Sequence, residues 1–379
     1  MDELRRRLGQ RIRASRAALS LTQLQLAREA SLPAPQVVSQ IEKGEREVKA
    51  WELVNIARVL RVEIGELLRE EEPAARPPVL WREGPVENRQ VREAEFVRDC
   101  ERYSLLEQLC GQGVESELPL WWEADPALLS YEQVDELAEQ ARGEFDCGSR
   151  PARALTGVLE ERYGVKIWYR SLGEEGSAAS TRGPTGPAIL MNADEVPWRR
   201  NFSVAHELFH LLTWPKTATG ELEGGGTPEH RVEQLANVFA SALLLPEEPV
   251  RKALGRRKSE GRLVLADLAA LAREFDVSAQ ALVYRLQNLG ELTPEEGESI
   301  LSSDAFRAMD RSSHPAVWAR PPDLPERYVR LGFTAYQKGA LSKARLAELL
   351  GVGLADLSSK LEEYGFDERQ DYTAELRTV

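Results

Sequence analysis

The sequence predicts an α+β, mostly helical protein: an N-terminal helical bundle, a core holding a small sheet, and a helical C-terminal region. Three observations lead there. Apolar residues recur at helical intervals over long stretches, as at Phe96, Cys100, Tyr103, Leu106 and Cys110. Val165 to Arg170 alternates like a strand, and Ala188 to Asn192 reads as a second. Capping and breaking residues punctuate the rest, such as Thr22 before Gln23 and Pro246 after a long apolar helix.

In chain order, residues 1–69 form the first domain. Gln10 to Ala18 reads as a helix with an Arg-rich face of Arg11, Arg13 and Arg16. Thr22 is placed to cap a helix from Gln23 to Ala30. A turn lengthened by Pro33 and Pro35 leads to Gln36–Gly44, and Trp51 to Leu60 and Ile64 to Leu68 add two helices. Residues 70–125 are a linker and helical segment: Glu70 to Pro78 is acidic and proline-rich, and about Val86 to Gly111 is helical. Residues 126–258 form the core, with a helix over Ala154–Tyr163, the two strands, a mobile Gly/Ser/Thr-rich loop from Gly173 to Gly186, and two further helices. Residues 259–379 contain two helix-turn-helix rhythms, Leu263 to Leu282 and Leu341 to Leu357, which read equally well as plain helical hairpins.

A chain of 379 residues is long enough for two or three domains with real cores. Its net charge of -13 argues against a uniform coat of nucleic acid, so any DNA contact must be local. Two basic clusters offer one: Arg5, Arg6, Arg7, Arg11, Arg13 and Arg16, and then Arg251, Lys252, Arg256, Arg257, Lys258 and Arg262. The ordinary reading of such runs is a solvated face. No apolar run approaches the ~20 residues of a membrane span. The charged start Met1-Asp2-Glu3-Leu4 is unlike a secretory signal, and three cysteines without a framework suit a reducing compartment. The expected location is cytoplasmic, with no membrane partner.

The chemistry concentrates in His206-Glu207-Leu208-Phe209-His210. Ser203-Val204-Ala205 before it and Leu211-Leu212 after it suit a buried helix. Residues four apart share a helix face, so both imidazoles can reach one metal ion. Glu207 sits beside the metal without ligating it, where it can take a proton from the water the metal holds. This is the working end of a zinc peptidase; the competing reading is a chance pentad on an amphipathic helix. Two of the chain's four histidines fall here at the required spacing. A catalytic zinc needs a third protein ligand and an open position. Downstream, Glu233, Ala236, Asn237 and Ala240 share one helix face, and Glu233 is the favoured third ligand. His230 is its rival and Glu229 a weaker one.

The stretch from about Val134 to Pro246 resembles the ImmA/IrrE family of bacterial metallopeptidases. The resemblance rests on Val134–Ala138, Tyr163–Ile167, Pro187–Asn192, Arg200–Leu208 and the Glu233-x-x-Ala236-Asn237-x-Phe239-Ala240 helix. It implies a minimal zincin-like core and an endopeptidase that cleaves a helix-turn-helix repressor to switch on stress, DNA-damage or phage-defence genes. DNA, single-stranded DNA included, is the activator expected from the family's link to damage signalling. In zincins an edge strand above the metal pairs with the extended substrate. Ala188, Ile189, Leu190 and Met191 are assigned that role. Two residues depart from the family pattern: Phe209 stands where glycine is usual, and Trp214 near where a further histidine often follows.

Residues 1–69 resemble an XRE-type helix-turn-helix domain through Leu21-Thr22-Gln23-x-x-Leu26-Ala27 and Ser39-Gln40-Ile41-Glu42-Lys43-Gly44. The resemblance puts Gln36, Ser39 and Gln40 at base edges and Gln23 and Arg13 at phosphate. A competing function follows: a DNA-binding transcriptional regulator that uses the peptidase fold as a sensor without proteolysis. Finally, thiolate is a strong zinc ligand. Cys100 is a candidate inhibitory fourth ligand, with Cys110 and Cys147 weaker candidates and a packed core cysteine the plainer reading.

Overall fold

The computed structural model describes residues 2–19, 21–62, 64–68, 77–82, 88–111, 117–121, 126–173, 176–214, 228–257, 264–312, 320–368 and 370. The chain divides into two compact units, Met1–Pro77 with Pro85–Glu101, and Pro78–Gly84 with Arg102–Val379. No helix among the described residues is long and apolar enough to cross a membrane.

The first unit contains α1 (Asp2–Ala18), α2 (Gln23–Glu29), α3 (Pro35–Glu42), α4 (Ala50–Leu60) and α5 (Ile64–Leu68), with the beginning of α6 (Arg89–Cys110). The helix expected from Gln10 starts eight residues earlier, at Asp2. Thr22 caps α2 as expected: its Oγ1 accepts from the Gln25 N–H at 3.2 Å, and Gln25 Oε1 accepts from the Thr22 N–H at 2.8 Å. Pro35 occupies the first turn of α3, where its missing N–H costs nothing. Ile12, Leu26, Val38, Ile41, Ile56 and Leu60 close the core. Gly9 lets α1 approach the end of α3, since a Cβ there would lie 2.2 Å from the Ile41 carbonyl oxygen.

Glu42 ties this unit together. Its carboxylate is buried and accepts from Arg16 Nε at 2.6 Å, Arg16 Nη2 at 3.1 Å and Gln23 Nε2 at 2.7 Å. One acidic side chain thus joins α1, α2 and α3. Removing it strands a largely buried guanidinium, the costly way to break such a pair. Glu42→Ala should cost this unit about 3 kcal/mol, seen as a roughly hundredfold loss of amide-exchange protection in α1–α3. Unchanged protection would show that the pair contributes nothing net.

The second unit carries the sheet. Its strands are β1 (Val79–Trp81), β2 (Lys166–Arg170), β3 (Ala178–Gly183) and β4 (Gly186–Asn192), in the order β1-β3-β4-β2. β3 is antiparallel to both β1 and β4, and β2 runs parallel to β4. Two expectations are corrected here. The segment expected as a mobile loop contains β3, because pairing on both sides overrides the weak strand preference of its small residues. Ala188–Met191 is strand but not edge: β4 lies between β3 and β2, its ladder positions are taken, and it cannot accept a substrate strand.

Helices α7 (Tyr131–Glu144), α8 (Pro151–Glu161), α9 (Pro197–Leu212) and α10 (Pro228–Leu244) pack with the sheet around one apolar core. That core continues into α12 (Leu265–Glu274) and α13 (Ala279–Asn288), which follow α11 (Glu247–Arg257), through Leu268, Phe275, Leu282 and Leu286. Arg285 holds α13 in place, donating to Asp135 at 2.9 and 3.1 Å and to the Leu245 carbonyl at 3.1 Å. Much of the C-terminal region is therefore built onto the same core as the HExxH helix. The two helical rhythms become the pairs α12–α13 and α17 (Lys343–Leu349) with α18 (Leu357–Glu363). Between the two pairs lie α14 (Pro294–Ser302), α15 (Asp304–Ser312) and α16 (Glu326–Gln337).

Candidate metal centre

Helix α9 starts cleanly because Val196 is extended and Pro197 presets the first turn. Every residue from Ser203 to Leu212 is buried, so the helix runs through the core with the sheet packed on it. Its last carbonyls have partners: Arg182 of β3 donates to the Leu211 oxygen at 3.0 Å, and the Trp121 N–H to the Leu212 oxygen at 3.0 Å. Helix α10 packs alongside. Ala236 and Ala240, both fully buried, allow close approach, and Phe209 meets Phe239 with ring centroids 5.5 Å apart. Phe209 is thus a packing residue of the α9–α10 contact.

This packing converges three ligand atoms. His206 Nε2 is 3.2 Å from His210 Nε2 and 3.1 Å from Glu233 Oε2, and His210 Nε2 is 3.2 Å from Glu233 Oε1. Tetrahedral zinc with nitrogen ligands at ~2.0–2.1 Å would space them by about 3.3 Å. His206 Nδ1 lies 3.0 Å from Asn237 Oδ1. Donation there puts the proton on Nδ1 and leaves the Nε2 lone pair facing the cluster. Both Glu207 oxygens and His210 Nδ1 are buried with no hydrogen-bond partner among the described residues. Convergent donors beside an unpartnered carboxylate fit a metal ion and its water better than a closed hydrogen-bond network.

Electrostatics follow from burial. Burial pushes the Glu207 carboxyl up to about 7, against the opposing pull of His210, the Ser180 hydroxyl and Arg82. Burial likewise drives His206 down to about 4, partly offset by its bond to Glu233. Burial alone would raise Glu233, but hydrogen bonds from His206 and His210 hold it at about 2. His210 is pulled both ways; burial lowers it, but Glu233 and Glu207 raise it above its ordinary value.

The other candidate residues lie elsewhere. His230 is exposed, 3.0 Å from Gln234 Nε2, and is not in the cluster; the side chain of Glu229 lies outside the described residues. Cys100 is fully buried in the part of α6 that belongs to the first unit, and its sulfur is not among the clustered ligand atoms. Cys110 donates to the Leu331 carbonyl at 3.2 Å, and Cys147 is buried beside the Phe145 carbonyl. On α3, Gln36 and Gln40 are exposed and Ser39 is half-buried; Arg13 on α1 is exposed, while Gln23 is bonded to Glu42. The basic clusters are partly structural. Arg11 is buried, Arg16 pairs with Glu42, Arg251 with Glu247 and Glu291, and Arg256 and Arg257 with Glu274. Lys258 and Arg262 lie outside the described residues. Sequence reasoning missed the Asn237 bond to His206, although Asn237 was on the correct face, and it missed Arg82, which reaches α9 from the residue after β1.

In the metal-free protein the shifts of Glu207 and His206 oppose each other with pH. Glu207, raised from 4.5 to about 7, stabilises the fold below pH 4.5, and this is lost as pH rises through 7. His206, lowered from 6.5 to about 4, contributes stability above pH 6.5 that is lost as pH falls through 4. Glu207→Gln removes only the first. Metal-free Glu207→Gln should therefore gain on the metal-free parent between pH 4.5 and 7, by roughly 3 kcal/mol at most. Chemical denaturation across that range checks it; a pH-independent difference contradicts it.

The IrrE N-terminal-like domain matches residues 160–287, and a helix-turn-helix domain matches residues 12–67. The radiation response metalloprotease IrrE of Deinococcus deserti is 33% identical over 140 residues, covering 36% of this chain and 47% of that protein. The protein of the same name from Deinococcus radiodurans is 31% identical over 140 residues, 36% of this chain and 40% of its own. The matches thus span less than half the length of either relative. A solved Mycobacterium tuberculosis transcriptional regulator aligns over 49% of this chain and 51% of its own, at 18% identity and a TM-score of 0.32, too loose a likeness to carry an argument. Residues 12–67 thus match a helix-turn-helix domain, and residues 160–287 match the IrrE-like metallopeptidase domain.

Proposed function

We propose that the protein is a zinc-dependent endopeptidase that cleaves a partner regulatory protein, a helix-turn-helix repressor, and so switches on stress, DNA-damage or phage-defence genes. One observation carries this reading: His206, His210 and Glu233 bring ligand atoms within 4.8 Å of one another, beside the buried, unpartnered carboxylate of Glu207. The family match and the metalloprotease relatives support it.

His206, His210 and Glu233 would hold the zinc. When bound, zinc supplies Lewis acidity toward the scissile carbonyl and the attacking water. Glu207 takes the water's proton as the oxygen adds to the peptide carbon. It returns that proton to the amine as the C–N bond breaks. A carboxyl with affinity near neutrality suits both transfers. Asn237 fixes the His206 tautomer. In the first domain, α3 presents Gln36, Ser39 and Gln40 on the helix expected in a major groove, with Arg13 near phosphate. Gln23 would have to exchange Glu42 for phosphate to join them. DNA, single-stranded DNA included, is the proposed activator. The helix-turn-helix match favours a second reading, a regulator that senses without cleaving. Such a sensor has no use for a buried general base at Glu207.

Wild type should bind one zinc per chain, Glu207→Gln should retain it, and Glu233→Ala should bind it at least tenfold more weakly by metal analysis. Zinc content in Glu233→Ala equal to wild type would move the third ligand elsewhere.

Incubation with a helix-turn-helix repressor encoded beside this gene, with and without single-stranded DNA, tests the activity. Cleavage should rise with DNA and fall at least a hundredfold in Glu207→Gln. Intact repressor under every condition would favour the sensor, and undiminished cleavage in Glu207→Gln would reject the mechanism.

A further inference from the structure

Val79, Leu80 and Trp81 form a strand at the end of a proline-rich linker. Between parts assigned to the first unit, the chain gives only Pro78–Gly84 to the second before resuming the first at Pro85. This short excursion lies along the outer side of β3. Val79 faces Thr181, Leu80 faces Ser180 and Trp81 faces Ala179. The Arg82 N–H donates to the Ala178 carbonyl at 3.1 Å, and Thr181 Oγ1 donates to the Pro78 carbonyl at 2.8 Å. Antiparallel hydrogen-bonded pairs alternate, so bonding at Arg82/Ala178 makes Leu80/Ser180 the next such pair. Because β4 holds the other side of β3, β1 alone among the described residues stands between the β3 backbone and an open sheet edge.

The strand leads to the metal centre. Arg82 Nη1 donates to Ser203 Oγ at 2.9 Å, and its guanidinium carbon lies 5.2 Å from the Phe202 ring centroid. Ser203 is fully buried on α9, three residues before His206. The Arg82 charge also bears on His206, Glu207 and His210. All three residues of β1 are only half-buried, and Leu80 packs on the edge of the core. A three-residue strand paired along one side only is less firmly fixed than the longer strands it joins. Its direction, its pairing and the reach of Arg82 are those of a polypeptide laid along the sheet beside α9.

We propose that the outer edge of β3 is the peptide-binding slot of this enzyme and that residues 78–82 are its resident occupant. This deepens the peptidase reading and rests on it. The slot takes an extended segment antiparallel to β3, joined by backbone hydrogen bonds to residues 178–182. It prefers an apolar residue at the position of Leu80, an aromatic one at Trp81 and a basic one at Arg82. The basic residue is selected by Ser203 and by the Phe202 face, which attracts a cation. The slot holds one strand at a time, so a partner segment enters only as β1 leaves, and the chain limits its own activity until displaced.

The test uses the full zinc-loaded chain in a Glu207→Gln background, so that bound peptide is not consumed, and a fluorescent peptide Pro-Pro-Val-Leu-Trp-Arg. Leu80→Pro removes the N–H facing Ser180 and should free the slot. The peptide should then bind at least tenfold more tightly than to the β1-intact chain by anisotropy. Amides of 178–182 should exchange faster in Leu80→Pro and regain protection with peptide. Alanine at the peptide's last position should weaken binding at least tenfold. Arg82→Ala in the protein, which leaves the backbone of β1 intact, should also admit the peptide more readily and guards against misfolding in the proline variant. Peptide affinity unchanged in both folded variants, with β3 exchange unaltered, overturns the proposal. These readouts do not use cleavage. Peptide that binds as expected while the repressor stays intact with Glu207 restored would count against the peptidase reading and leave the slot standing.

Discussion

The second unit depends on how closely α10 lies against α9. Two imidazoles one turn apart define only a line of approach for a metal; Glu233 reaches them, as the proposed third ligand, because Ala236 and Ala240 leave no side-chain bulk between the helices. Phe209 and Phe239 then fill the space one turn further on. A bulkier residue at 236 or 240 would separate the helices, and a shift of 1 Å is large against ligand spacings of 3.1–3.2 Å. The sheet above α9 and the helices beyond α10 hold that contact in register. Arg285 matters in the same way, joining α13 to α7 and to the end of α10.

This arrangement places polar groups where a core would exclude them. Glu207 is fully buried without a hydrogen-bond partner among the described residues, and such a group costs free energy in an apolar interior. Helix α9 bears that cost because apolar packing surrounds it from Val204 to Leu212. The opposite shifts of Glu207 and His206 have one origin, exclusion of water, acting on groups whose charged forms carry opposite signs. Carboxylates elsewhere in the fold show the contrast. Glu42 is also buried but has three donor contacts, which join α1, α2 and α3.

What could be read from the sequence was what is local. The HExxH helix, the face bearing Glu233 and Asn237, and the Thr22 cap depend on spacings within one element; the structure brings Glu233 and Asn237 to the histidines and, in the other unit, shows the Thr22 cap. The sheet was legible only in part. Val165–Arg170 and Ala188–Asn192 contain large apolar residues and read as strands, and β2 and β4 form there. Which of them is an edge depends on partners far away in the chain. β3 is Ala-Ala-Ser-Thr-Arg-Gly and β1 sits among prolines, so neither has a pattern that signals a strand. Non-local pairing made them strands, and with them moved the sheet edge away from Ala188–Met191. Glu42 looked like one more polar residue of a helix-turn-helix signature. Its role appears only when α1 folds back onto it.

The residues that hid β3 also let it work. Ala178, Ala179 and Ser180 are fully buried, and their small side chains let the strand lie low over α9 near the histidines. A strand rich in Val, Ile or Phe would have been easier to recognise, but its bulk would lift the sheet from the helix. The backbone of β3, and whatever strand pairs with it, would then stand farther from Glu207. Close approach of sheet to helix therefore selects small residues, and small residues erase the strand signal. The same constraint explains why Arg82, the residue after a strand as short as β1, can reach Ser203 at all: the next strand outward is still within one long side chain of α9.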